Sequence, residues 1–144
     1  MVLAYQGKIK EVIMGRIDYG EDLLLSLHEI VRKKKVEAGH IVIMGALNYA
    51  RLGAYDQNKK EYNILELPGQ WEITAGIGDI SLKDDETHVH IHLVLGDHNG
   101  NCMSGHVLEG CKIFACEFAI YSLELDGSLR REYDEKTGLF LWQE

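Results

Sequence analysis

Between His88 and Leu95 the chain alternates without a break: Val89, Ile91, Leu93 and Leu95 fall on one face, and His88, His90, His92 and Val94 on the other. A period of two marks a β-strand with two chemically different faces. Asp97-His98-Asn99-Gly100 is a turn signal, and a second alternating run follows from Cys102 to Leu108. Together they predict a β-hairpin. A three-residue loop with Gly100 in the left-handed position of a bulge pairs Asp97 with Asn101. Ile91 then faces Val107, Leu93 faces Gly105 and Leu95 faces Met103 on the apolar side. On the other side His92 opposes His106, with His90 two residues along the strand. A loop one residue longer or shorter would turn His106 to the apolar face.

The same pattern, followed from the start, predicts a strand over Gly7–Ile17, broken by Asp18-Tyr19-Gly20. Glu21 and Asp22 open a helix over about residues 22–36, with Asp22 as cap. Leu23, Leu27, Ile30 and Val31 form its apolar stripe; His28 lies off that stripe and reads as surface. Beyond Gly39 the chain is β-rich. A strand over His40–Tyr49 continues past a bend through Arg51–Tyr55, and Gly45-Ala46 suggests close backbone contact. Asn58-Lys59 is a turn, Glu61–Leu67 a strand, and Pro68-Gly69 a break. A strand from Trp71 bends at Gly78-Asp79. After the hairpin, Cys111–Leu125 is a long apolar strand, Asp126-Gly127 a hairpin turn, Leu129–Tyr133 its return, and Gly138–Trp142 an edge strand or packing segment. One helix with seven to eight strands is an α+β pattern, a largely antiparallel sheet with the helix packed on it.

Composition narrows the function classes. The 144 residues suit one domain, residues 1–144, large enough for a core without disulfides. The amino terminus lacks the apolar run of a signal peptide, and no stretch approaches the roughly 20 apolar residues of a membrane span. Cys102, Cys111 and Cys116 are odd in number and form no Cys-x-x-Cys pair, so a reducing cytoplasm is expected. Cys111, Cys116 and Phe118 read as core. A net charge of −8 and a pI near 5.3 repel nucleic acid unless a basic patch is segregated. Arg32-Lys33-Lys34-Lys35 complements a helix C-terminus, and Arg130-Arg131 is short. Gly76-x-Gly78 is no dinucleotide fingerprint, because no helix follows it.

Chemistry concentrates on the hairpin. Three imidazoles converging from one face are a natural site for zinc, iron, nickel or copper. His90, His92 and His106 are therefore the candidate metal ligands; His88, further along the strand, and His98, in the turn, are weaker. Cys102 stands roughly 13 Å from His106 along the strand. Glu72 is the acidic candidate from another strand, as fourth ligand or as base to a bound water, although it reads more simply as an exposed carboxylate.

These residues resemble a known family. Arg16…Gly20-Glu21-Asp22-Leu23, Gly45-Ala46 and His90-x-His92…Gly96-Asp97…Gly100…Gly105-His106-Val107-Leu108 are similar to the plants-and-prokaryotes-conserved (PPC) domain over roughly residues 5–125. The resemblance implies an antiparallel sheet with a flanking helix, assembled as a homotrimer, and a metal ion associated with the positions of His90, His92 and His106. The family's DNA-binding label rests on members with a basic AT-hook ahead of the domain. Here there is no Arg-Gly-Arg-Pro segment, Pro68 is the only proline, and the balance is acidic, which weighs against nucleic acid. The expectation is a cytoplasmic homotrimer binding a divalent transition metal, with zinc preferred and iron or nickel open, and with room for a small anion at the metal. A DNA-binding regulatory protein and a metal-dependent enzyme are the alternatives. No nucleophile or catalytic residue is identifiable from the sequence.

Overall fold

The computed structural model describes residues 2–143. Its elements run β1 (Gly7–Ile17), α1 (Leu23–Lys34), β2 (Gly39–Asp56), β3 (Glu61–Lys83), β4 (Glu86–Gly96), β5 (Cys102–Val107), β6 (Lys112–Leu125), β7 (Arg130–Asp134) and β8 (Leu139–Gln143). The eight strands form one sheet in the order β1-β6-β2-β5-β4-β3-β7-β8, and β2 also pairs with β3. Every ladder is antiparallel except the short β3–β7 pairing. Because β5 returns to β2 through Leu52↔Val107 and Gly53↔His106, strands β2, β3, β4 and β5 close into a ring of pairings. This is the expected α+β architecture.

Helix α1 begins where Asp22 accepts from the backbone N–H groups of Leu24 and Leu25 at 3.1 and 3.2 Å, satisfying donors that the first turn leaves free. It stops at Lys35, in the left-handed conformation at φ 54°. Leu23, Leu27 and Val31 are wholly buried in the core shared with Val89, Ile91, Leu93 and Leu95 of β4. Cys111, Cys116 and Phe118 are core residues as expected, and all three cysteines are free.

Two sequence expectations need correction. Pro68-Gly69 does not end a strand; β3 runs through it from Glu61 to Lys83. Pro68 sits where the register to β2 shifts beside Tyr49, so its missing N–H costs no regular ladder bond, and Gly69 absorbs the distortion at φ 96°. At Gly78-Asp79, where the sequence predicts a bend, the ladder to β4 keeps its register through Gly78↔Ile91 and Asp79↔His90. Gly78 is needed because a Cβ there would stand 2.3 Å from the carbonyl oxygen of His90. Finally, Leu129–Tyr133 does not return against β6, whose two edges are already occupied by β1 and β2. The chain crosses instead to β3, where β7 pairs in parallel through Leu82↔Arg130 and Lys83↔Arg131. There β7 and β8 form a hairpin at the sheet edge.

One bulge in β3 matters for the site. Ile73 pairs with Leu95, but the next partner of β4 is Ala75 opposite Val94, so one residue is skipped. The phase of the strand flips there. Ile73 faces the core, whereas Ile77 pairs with His92 and Asp79 with His90 on the histidine face.

Gly45 has φ 146°, and a Cβ on it would lie 2.1 Å from the Ala115 carbonyl oxygen. Gly45→Ala combines backbone strain with overpacking, and a loss of roughly 2–4 kcal/mol is expected. Urea denaturation of the variant beside the native protein measures it.

Candidate metal centre

The hairpin forms in the expected register. Asp97 N–H donates to the Asn101 carbonyl at 3.0 Å, Gly100 N–H donates to the Asp97 carbonyl at 3.2 Å, and Gly100 has φ 84°. The Asp97 carboxylate organises the loop by accepting from the backbone N–H groups of Asn99 and Asn101. Leu93 pairs with Gly105, Leu95 with Met103 and His92 with His106.

His90, His92 and His106 offer nitrogens that all lie within 4.8 Å of one another, a group that could hold a metal ion. The Nε2 atoms of His90 and His92 are 3.1 Å apart. Two nitrogens on one tetrahedral ion at about 2.0–2.1 Å would stand roughly 3.3–3.4 Å apart, so little movement separates this arrangement from a bound one. The His106 ring packs 4.9 Å from that of His90 and 5.2 Å from that of Tyr62. Tyr62 reaches it because position 53 is glycine: a Cβ on Gly53 would meet the Tyr62 ring at 2.7 Å. His106 Nδ1 is buried without a hydrogen-bond partner. A buried, unpaired ring nitrogen beside two other imidazoles is a donor set that suits a divalent cation.

Asp79 is the residue that sequence reasoning missed. Its Oδ2 lies 3.2 Å from His90 Nδ1, and its Oδ1 accepts from Arg131 Nη2 at 2.7 Å. The carboxylate accepts from His90 when the ring carries its proton on Nδ1, the tautomer that leaves the Nε2 lone pair facing His92 and His106; Arg131 Nη2 also stands 3.3 Å from that Nδ1. Arg131, its side chain 9% exposed, also donates to the Ser81 hydroxyl at 2.8 Å and the Phe140 carbonyl at 2.9 Å. Burial alone would raise the Asp79 pKa, but the hydrogen bonds from His90 and Arg131 outweigh it and hold the carboxyl below its usual range. Only the β3 bulge brings Asp79 to this face.

The other candidates fall elsewhere. Glu72 pairs with Gly96, five residues along β3 from Ile77 and roughly 16 Å away at strand spacing. With His98 it lines a separate cavity of about 330 Å³ beside Trp71 and Phe114. Cys102 is exposed near the hairpin loop. His88 and His28 are half-buried, their rings 6.2 Å apart, so His28 packs toward β4 rather than lying free on the surface.

Fold and site together define a ring-closed β-sheet domain with a three-imidazole centre on its outer face. The model of the Plants and Prokaryotes Conserved (PCC) domain matches residues 4–124, and the chain belongs to this family. A metal-containing protein from Archaeoglobus fulgidus is 38% identical, with a TM-score of 0.91 over 99% of this chain and 100% of that one. A plant- and prokaryote-conserved protein from Pyrococcus horikoshii is 33% identical, with a TM-score of 0.88 over 100% of this chain and 98% of that one. The bifunctional protein GlmU of a Synechococcus strain is 32% identical over 120 residues, covering 83% of this chain. The chain spans only 18% of the length of that relative.

Burial lowers the pKa of His92, and it pushes His88 and His106 down to about 4, helped by Arg131 and Lys83 at His88 and by His90 and His92 at His106. In the unfolded chain these groups return to about 6.5. Between the two values the unfolded state binds more protons, so stability is present above 6.5 and is lost as pH falls toward 4. Chelator-treated protein should therefore show a falling Tm between about pH 7 and 4.5, with a shallower slope in His88→Gln. Thermal denaturation followed by circular dichroism checks this.

Proposed function

We propose that His90, His92 and His106 bind one divalent transition metal ion, zinc being preferred over iron or nickel, and that the chain acts as a cytoplasmic homotrimer built around that centre. The observation that carries the metal reading is the convergence of three ligand nitrogens within 4.8 Å on one sheet face. The similarity to the Archaeoglobus protein described as metal-containing supports it. Asp79 orients His90, and Arg131 keeps Asp79 ionised and in place. Among the described residues no cysteine or carboxylate joins the three imidazoles. Three neutral ligands would leave a bound ion able to polarise water or hold a small anion.

Association between copies of the chain is supported by an apolar row that crosses four strands. Met14 of β1 pairs with Ala119, Ala119 with Val42, and Val42 with Ile77. Met14, Val42 and Ile77 are 78%, 42% and 57% exposed, with Met44 beside them at 62%. A continuous exposed apolar strip of this kind marks an association surface. Nucleic acid is not part of the proposal, since Arg130 pairs with Asp85 and Arg131 with Asp79.

Elemental analysis of protein purified without an affinity tag should find about one metal ion per chain. Alanine at His90, His92 or His106 should each abolish retention, and Asp79→Asn should weaken affinity roughly 10–100-fold. Native affinity in all three histidine variants would place the metal elsewhere. Light scattering should give three times the 16.3 kDa chain mass; a monomer would overturn the trimer.

A further inference from the structure

A cavity of about 310 Å³ lies over the histidines, with His90 and His106 in its floor and Leu139, Phe140 and Leu141 of β8 forming one wall. This volume is at the small end of the roughly 300–1,000 Å³ range of ligand pockets. The β8 wall lies beyond the residues matched by the family model. The β7–β8 hairpin that carries it is held from several sides. Arg131 donates to the Phe140 carbonyl at 2.9 Å, Tyr55 Oη to the Thr137 carbonyl at 2.7 Å, and Lys60 Nζ to the Glu135 carbonyl at 2.6 Å.

The charge of the lining is opposite to that of the chain. Acidic residues outnumber basic ones by 23 to 15 over the whole sequence, yet no carboxylate lines this cavity, whereas Lys83 and Arg131 both do. Arg131 is balanced by Asp79. Lys83 is not balanced: among the described residues no carboxylate lies within ion-pair distance, and its Nζ sits 3.6 Å from the centre of the Phe140 ring. An ammonium poised over an aromatic face, between an apolar wall and a floor of imidazoles, can receive an anionic head while the wall packs against an apolar body.

We infer that this cavity binds a small organic carboxylate, its charged group between Lys83 and the histidine floor and its apolar part against Phe140 and Leu139. The inference deepens the metal reading, and it rests on that reading only for what the floor contributes. A carboxylate there would gain a charge-assisted hydrogen bond from Lys83 and shield it from Arg131. Inorganic phosphate would meet the same charges but leave the β8 wall unused.

The test is calorimetric titration of zinc-treated and of chelator-treated protein with benzoate, inorganic phosphate and benzyl alcohol, alongside zinc analysis of each sample. Benzoate should bind, phosphate should bind more weakly, and the neutral alcohol should give no saturable heat. Lys83→Met should weaken benzoate roughly tenfold with zinc content unchanged, and Phe140→Ala should weaken benzoate while leaving phosphate alone. Lys8→Met, on an exposed lysine far along the sheet paired with Glu124, should change nothing. The inference is overturned if benzoate binds neither form, if the alcohol binds equally well, or if Lys83→Met has no effect. Phosphate binding as tight as benzoate and indifferent to Phe140→Ala would also overturn it. Zinc retention without benzoate binding defeats this inference and leaves the metal reading intact. Lys83-dependent benzoate binding without zinc retention does the reverse.

Discussion

Residues paired across a β-ladder point to the same face, and that constraint links β2, β3, β4 and β5 around the ring, with bulges at which the phase of a strand changes. Once β5 closes back on β2 at Leu52 and Gly53, a slip in any one strand would turn its core residues outward. Ile91, Leu93 and Leu95 fill the inside, so His90 and His92 must stand outside. His106 is forced beside them by its pairing with His92. The imidazole cluster is thus a by-product of core register. A change in the length of the loop at His98-Asn99-Gly100 would cost the site and the core together.

The same outer face also carries the apolar row, which continues through Ile77↔His92 to His92↔His106. A surface that suits association therefore borders directly on one that suits a metal. Glycine makes the crowding tolerable at two points: Gly53 admits the Tyr62 ring over His106, and Gly78 lets β3 approach the His90 backbone.

Charge ties the end of the chain to the centre. Arg131 is nearly buried, and an unpaired guanidinium there would be costly. Asp79, Ser81 and the Phe140 carbonyl together satisfy it. Through Asp79 and Arg131 this network holds the His90 ring, so β7 contributes to the geometry of a site on β4 and β5 without supplying a ligand. Lys83 is the cavity cation without an ion-pair partner among the described residues, whereas Arg131 is engaged by Asp79.

By itself the sequence determined the elements whose signal is local. The capped helix from Asp22, the hairpin with Gly100 at positive φ, its register and hence the approach of His90, His92 and His106 all follow from periodicity and turn chemistry over short spans. What only the tertiary structure decided involves partners distant in the chain. Pro68-Gly69 reads locally as a stop, yet β3 continues because β2 offers a long edge on which a shifted register accommodates proline. Leu129–Tyr133 reads as a hairpin return, but both edges of β6 are taken, so the segment crosses to β3 and delivers Arg131. Asp79 was hidden for a related reason. A bulge between Ile73 and Ala75 reverses the face of everything after it, and periodicity read from Trp71 and Ile73 puts Asp79 in the core and favours Glu72. Where the phase of a strand breaks depends on packing against its neighbours, and that information is not carried by the strand's own residues.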